Sequence, residues 1–340
     1  MRVLIVDFNH IAYNLAFGGA RLTSVVDGEV VETSIPNGAL KNIMRWSDFG
    51  RNPTAICFDR ACFPRKAYWS ITSGEKEVKY KGTRDKMPSA MFKSIALTET
   101  LLRNAGVSCY ALEGYEADDL VMAAIERAKI QYPNVPIDVV TGDSDLLPLV
   151  NEQVSVFFRS RKATWAESKE LRKNKYIQVT PNNFAEVVKS LSAYKEYDIP
   201  YNLLLLLKLT RGDESDNVPG LKKSFPPRKV KEILKRMKED GYESIRYERG
   251  IPSEEDHWGI PNEVKRLVSY LEKRCGDIVG EKEISHIIRV YLGINLNQPY
   301  LDYDKKQWYR KSVAIKGCDG FVANSLVREG KRIGINVPIG

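Results

Sequence analysis

The chain has 340 residues, 43% of them hydrophobic, with 52 Lys and Arg against 44 Asp and Glu and a formal net charge of +8. That is enough apolar material for two domains, or for one large α/β domain with an appended module. It excludes a membrane span, because Val3-Leu4-Ile5-Val6 stops at Asp7 and the leucines from 203 to 207 are too few to cross a bilayer.

In chain order, residues 2–6, 54–58, 107–111, 137–141 and 154–158 read as short, almost wholly apolar strands, as expected when both faces of a parallel sheet are covered. Helical spacing runs over 38–48, 88–105 and 117–132, the second closing at Asn104-Ala105-Gly106 with a glycine placed to cap it. Beyond residue 180 the pattern turns helical, with Thr180-Pro181 as a start signal, then a Leu-rich stretch over 201–211, followed by 228–239 and 262–274. Residues 240–260 read as a polar connector. Five scattered cysteines (Cys57, Cys62, Cys109, Cys275 and Cys318) form no CxxC pair, which argues against a disulfide framework or zinc site and suits a reducing cytoplasm.

Against this basic background, carboxylates gather at strand ends. Asp7, Asp59 and Asp143 follow apolar strands, where the ligand crevice of an open parallel sheet lies. Any one of them alone could cap a helix or turn. Glu116-Ala117-Asp118-Asp119 opens a helix, where the dipole favours acids, yet one acid would suffice and three repel one another unless a cation compensates. Asp143 and Asp145 stand two apart after a strand, and Asp213 and Asp216 lie in Gly212-Asp213-Glu214-Ser215-Asp216-Asn217. No His or Cys joins these groups, and the three histidines are His10, His257 and His286. Oxygen-only ligands suit Mg²⁺, with Mn²⁺ as a substitute. Two such ions about 3.5–4 Å apart activate a water and stabilise the leaving oxygen in phosphodiester hydrolysis.

Residues 60–86 carry eight Lys or Arg with Phe63, Tyr68, Trp69 and Tyr80 interleaved, a composition suited to a single-stranded nucleic acid and also to a solvated loop. Residues 159–175 add seven cations and Trp165, and Lys222, Lys223, Arg228 and Lys229 follow the acidic loop, where cations near a helix start suit a DNA backbone.

The ordered set Val6-Asp7, Phe58-Asp59, Tyr80-Lys81-Gly82-Thr83-Arg84, Glu116-Ala117-Asp118-Asp119, Gly142-Asp143-Ser144-Asp145 and Gly212 to Gly220 resembles the flap endonuclease and 5′-3′ exonuclease superfamily, above all the short bacteriophage and bacterial 5′ nucleases. The resemblance covers residues 1 to about 240. It implies an α/β fold: a PIN-like core with a mostly parallel sheet over 1–180, a helical arch at about 60–105, and a helical DNA-binding region over 181–340. That region would hold a helix-three-turn-helix at about 200–240 and an unassigned extension.

By the same resemblance Asp59, Glu116, Asp118, Asp119 and Asp143 serve a first Mg²⁺, which Asp7 orients through water, and Asp145, Asp213 and Asp216 serve a second. Lys81 approaches the scissile phosphate with Arg84 assisting, and Tyr80 lies near the 5′ nucleotide. Arg65, Lys66 and Lys79 join the DNA contacts, with Lys222, Lys223, Arg228 and Lys229 on the duplex side. Leu221-Lys222-Lys223-Ser224 departs from the family's Gly-x-Gly hairpin, which weighs against its K⁺ site.

The expected substrates are branched, flapped or nicked DNA and RNA/DNA hybrids, and the expected reaction removes RNA primers or 5′ flaps. The protein is expected to be a monomer in the cytoplasm, of the host cell if viral, beside a single-strand-binding protein or polymerase of the replisome. A silent junction-binding protein is the alternative from another class, and the full set of acids argues against it. A haloacid-dehalogenase-like phosphatase is disfavoured because Asn9 stands where that family has its second Asp.

Overall fold

The computed structural model describes residues 1–17, 21–26, 28–60, 62–72, 80–81, 87–159, 176–191, 197, 199–212, 216, 218–221, 225–242, 245, 262–294, 315 and 320–338. Its centre is a six-stranded sheet made of β1 (Val3–Asp7), β4 (Thr54–Cys57), β5 (Ser108–Tyr110), β6 (Ile137–Thr141), β7 (Val154–Arg159) and β8 (Tyr176–Val179). The order is β5-β4-β1-β6-β7-β8, parallel throughout except that β8 pairs antiparallel with β7. The chain leaves β1 toward β4 and β5 and then returns to β6 on the other side of β1. A topological switch point therefore lies between the carboxyl ends of β1 and β6.

Alternation along β1 explains why both faces are covered. Val3 and Ile5 point into one hydrophobic core with Ala55, Cys57 and Val139, while Leu4 and Val6 point into the other with Ile56 and Val140. The first core is closed by α3 (Phe63–Thr72), α5 (Ala117–Gln131) and the C-terminal helices; the second by α1 (Phe8–Phe17), α2 (Ser34–Trp46) and α4 (Ser89–Asn104). A separate hairpin, β2 (Thr23–Val26) with β3 (Glu29–Glu32), precedes α2.

After β8 come α6 (Phe184–Lys189), α7 (Leu204–Arg211), α8 (Pro227–Glu239), α9 (Asn262–Cys275), α10 (Glu281–Ile294) and α11 (Gly320–Arg332). Helix α11 returns to pack on α2 and α4, and Ile333, Ile335 and Val337 enter the second core, so residues beyond 180 complete the hydrophobic layer on that face of the sheet. Residues 89–104 of the expected arch form α4, which packs on α2 and β5 as a sheet-covering helix; 73–79 and 82–86 lie outside the described residues. Among the described residues no helix is long and apolar enough to cross a membrane.

Candidate active site

Asp7 is the last residue of β1 and lies at the switch point, its Oδ2 accepting a 2.6 Å hydrogen bond from the Thr141 hydroxyl at the end of β6. Thr141 also accepts from the Asp143 amide at 2.9 Å, so the ends of two adjacent strands are tied through one threonine. Asp143 then caps the short 3₁₀ turn Ser144–Leu149 by accepting from the Asp145 amide at 2.8 Å. Gly142 between them leaves room for the His10 imidazole on α1, which a Cβ there would strike. Asp59, just beyond β4, accepts from the Ala117 amide at 2.6 Å, and its own amide donates to Asn9 Oδ1 at 3.2 Å. That contact brings the N-terminus of α5 to the same place.

The electrostatics show one shared cluster. Burial, with Asp59 and Asp118 nearby, raises the Asp7 carboxyl from 3.8 to about 7 against the pull of Thr141. Asp59 reaches solvent at the rim, yet the protein around it and the neighbouring Glu116 and Asp118 hold its carboxyl at about 6, opposed by Lys81. Burial and Asp145 push Asp143 well above the usual carboxylate range. Asp118 is raised as well, by burial, Glu116 and Asp145 against the pull of Arg65 and Lys81. Asp118 thus acts on Asp7, Asp59 and Asp143 alike, which places it at the centre of the set.

The other half of the cluster carries its own cations. Arg65 on α3 is 2% exposed; its Nη1 pairs with Glu116 and lies 3.8 Å from Asp118, and its Nη2 is 2.6 Å from Asp119. Asp119 is fully buried and also closes a capping box, accepting from the Glu116 amide at 3.1 Å. Lys81, in a left-handed backbone conformation at φ 54, pairs with Glu116 and lies 3.7 Å from Asp216 Oδ2. The Tyr80 hydroxyl reaches Glu116 at 3.0 Å and Asp216 at 3.1 Å. Burial alone would raise Glu116, but Arg65 and Lys81 overturn it and bring the carboxyl down to about 2. Lys208 on α7 is 4% exposed and pairs with Asp145.

The loop after α7 carries Asp216. It turns at Gly212 with φ 69 and is held by the Leu221 amide donating to Thr210 O at 2.8 Å; a Cβ at Gly220 would strike the Arg211 carbonyl. The Lys81 amide donates to the Asp216 carbonyl at 3.1 Å, which fixes this loop to residues 80–81.

The structure thus brings together Asp7, Asp59, Glu116, Asp118, Asp119, Asp143, Asp145, Asp216 and Lys81, while Asp213, Arg84, Lys79, Lys222 and Lys223 lie outside the described residues. Three of the expected site residues lie inside the protein. Arg65 and Tyr80, expected against DNA, are buried at 2% and 7% exposure with their polar groups turned to the carboxylates. Asp119, expected on a metal, is spent on Arg65 and on its helix cap. Lys66 and Arg228 are exposed, and Lys229 rests 5.4 Å over the Phe225 ring. Lys208 was missed, although a single cation inside Leu204-Leu205-Leu206-Leu207-Lys208-Leu209 signals a buried partner.

The donors suit a hard cation. Asp7, Asp59, Asp118 and Asp143 supply oxygen alone, and their raised carboxyls mark negative charge that the fold only partly compensates. Among the described residues Cys62, Glu116 and Asp119 also bring ligand atoms within 4.8 Å of one another. In that trio burial pushes the Cys62 thiol to about 12, which keeps it protonated, while Arg65 lies against both carboxylates.

Residues 2–180 match the N-terminal resolvase-like domain of 5′-3′ exonucleases. The chain belongs to this family. It is 32% identical over 157 residues to a 5′-3′ exonuclease of Mycoplasma pneumoniae, covering 46% of this chain and 47% of that one. It is 25% identical over 230 residues to DNA polymerase I of Caldicellulosiruptor bescii, covering 65% of this chain and 23% of the polymerase. Across the polymerases of this kind the family member at hand spans about a quarter of their length. The D15 protein of bacteriophage T5, crystallised with metal ions, superposes with a TM-score of 0.53 at 13% identity, over 98% of this chain and 100% of its own. A T5 D15 flap endonuclease complex with DNA and metal ions gives 0.54 at 12% identity, over 97% and 100%. These two likenesses show a shared fold.

Proposed function

We propose that this 5′-3′ exonuclease family member is a Mg²⁺-dependent, structure-specific 5′ nuclease that hydrolyses phosphodiester bonds in flapped, nicked or branched DNA and in RNA/DNA hybrids, removing RNA primers or 5′ flaps during replication and repair. The observation that carries the reading is the meeting of Asp7, Asp59, Asp118 and Asp143 at the switch point, with carboxyls raised by burial and by one another.

In this reading Asp59, Glu116, Asp118 and Asp143 hold a first divalent ion, with Asp7 ordering water beside it, and Asp145, Asp213 and Asp216 hold a second. When bound, the ions supply a nucleophilic water and stabilise the leaving oxygen. The chain's own groups do the rest. Thr141 fixes the orientation of Asp7, and Arg65 keeps Glu116 ionised and pointed at the cluster. Lys81 brings a positive charge to where charge builds on the phosphate, and exposed Lys66 and Arg228 meet the backbone. The metal ions co-crystallised with the T5 D15 protein and the match to the 5′-3′ exonuclease family support the reading.

The test is incubation of purified protein with a 5′-labelled flap and a nicked duplex. We expect Mg²⁺-dependent products that vanish in EDTA and in Asp143→Asn. Junction binding with no product at any Mg²⁺ or Mn²⁺ concentration would instead mark a silent binding protein.

A further inference from the structure

The helices that deliver the buried cations, α3 with Arg65 and α7 with Lys208, stand far apart in the chain, and one helix of the C-terminal extension touches both. Helix α10 packs on α3 and on α7. Ile287, Val290 and Tyr291 are fully buried in the same core as Trp69 of α3 and Leu204 to Leu207 of α7. On the α3 side the Tyr68 hydroxyl donates a 2.8 Å hydrogen bond to the Arg289 carbonyl. On the α7 side His286 faces the Pro219 carbonyl of the loop that carries Asp216, and its Nδ1 lies 3.2 Å from an Arg289 Nη. The turn that leads from α9 into α10 is held as well: Arg236 on α8 grips Asp277 with bonds of 2.6 and 2.9 Å and donates to the Arg274 carbonyl at 2.8 Å.

We infer that α10 is a strut that sets the separation between α3 and α7, and that Tyr68 is a positioning residue for the carboxylate cluster, acting through Arg65. The physical reason is the length of the lever. Tyr68 is one helical turn beyond Arg65, so a shift of α3 along α10 moves the guanidinium relative to Glu116 and Asp118, while Lys208 and Asp145 stay with α7. Groups that hold metal ligands from behind tune ion affinity even though they touch neither ion nor substrate. The extension therefore has a part in ion binding without contributing a ligand. This rests on the ion-dependent reading above.

Tyr68→Phe removes the hydroxyl and leaves the ring, and Ile287→Val thins the α10 contact by one methylene. Each variant is titrated with Mn²⁺, following the ion itself by its paramagnetic resonance signal, beside thermal unfolding in EDTA and flap binding in EDTA. We expect the half-saturating Mn²⁺ concentration to rise about three- to tenfold in Tyr68→Phe, and less in Ile287→Val, with flap binding unchanged. Unchanged Mn²⁺ midpoints in both folded variants overturn the strut. Should Tyr68→Phe not fold, the Ile287→Val midpoint decides alone. A wild type that binds no Mn²⁺ defeats the nuclease reading instead, and so the two failures are told apart.

Discussion

Glu116, Asp119 and Asp145 each lie against a cation of the chain's own, Arg65, Lys81 or Lys208, whereas among the described residues no ammonium or guanidinium comes within ion-pair distance of Asp7, Asp59 or Asp143. The consequence is visible in the titration of Glu116, Asp7 and Asp59. Glu116 is drawn down to about 2, while Asp7 and Asp59 are pushed up to about 7 and about 6. One half of the cluster has its charge compensated by the chain's own cations. The other half keeps charge that the fold does not meet, at the switch point where a ligand binds. The contrast teaches that a row of acids in a motif is not a row of equivalent ligands.

The largest expected effect comes from the unmet half. Asp143→Asn keeps the shape and the cap but removes a charge, and flap cleavage should fall well beyond the about 100-fold typical of changes behind a metal ligand. Steady-state cleavage of a 5′-labelled flap measures it, and a fall under tenfold would break the comparison. In the neutralised half the loss should appear as stability instead. Arg65→Met removes the buried guanidinium that Glu116 and Asp119 share and should cost about 3–5 kcal/mol in urea unfolding. If Arg65 were a DNA contact, stability would hold and duplex affinity alone would drop.

A smaller effect tests how the strand ends are fitted. Gly142→Ala sets a methyl against His10, with an expected cost of about 1–3 kcal/mol that His10→Ala in the same chain relieves. Failure of the double variant to recover would mean that Gly142 is needed for backbone reasons alone.

The acids were legible in the sequence because charge after an apolar strand has few structural uses, and Asp7, Asp59 and Asp143 all meet that description. Their counter-ions were not. Arg65 sits in a stretch of cations and aromatic rings that reads as a solvated or DNA-facing segment, and nothing in residue type says that one of its cations is buried. The fold divides in the same way. β1, β4, β6 and β7 are short, mostly apolar runs rich in Val and Ile, which read as strands of a covered sheet. Helix α1 follows β1 with no intervening turn residue, and the β2–β3 hairpin exposes Val25 and Val30 at 67% and 75%, so neither carries the usual boundary or burial pattern. Helix α11 is recognisable only from what it covers on α2 and α4.

The two halves also oppose each other with pH. A carboxyl raised in the folded state contributes stability below its unfolded pKa and loses it as pH climbs to the folded value. In EDTA, Asp7 and Asp59 should therefore lower Tm between about pH 4 and pH 7. Glu116, held down to about 2, contributes stability above its ordinary 4.5 and loses it as pH falls from 4.5 toward 2. Thermal unfolding across this range in wild type and Asp7→Asn should show the slope between pH 4 and pH 7 flatten in the variant.

Calorimetric titration of the wild type with Mn²⁺ at pH 6, in two buffers of different ionisation enthalpy, reads the unmet charge directly. With Asp7 raised to about 7 and Asp59 to about 6, ion binding at pH 6 should release protons, and at pH 8.5 should release almost none. Binding heats that are identical in the two buffers at pH 6, or no binding heat at either pH, would contradict the assignment of these strand-end carboxylates to divalent ions.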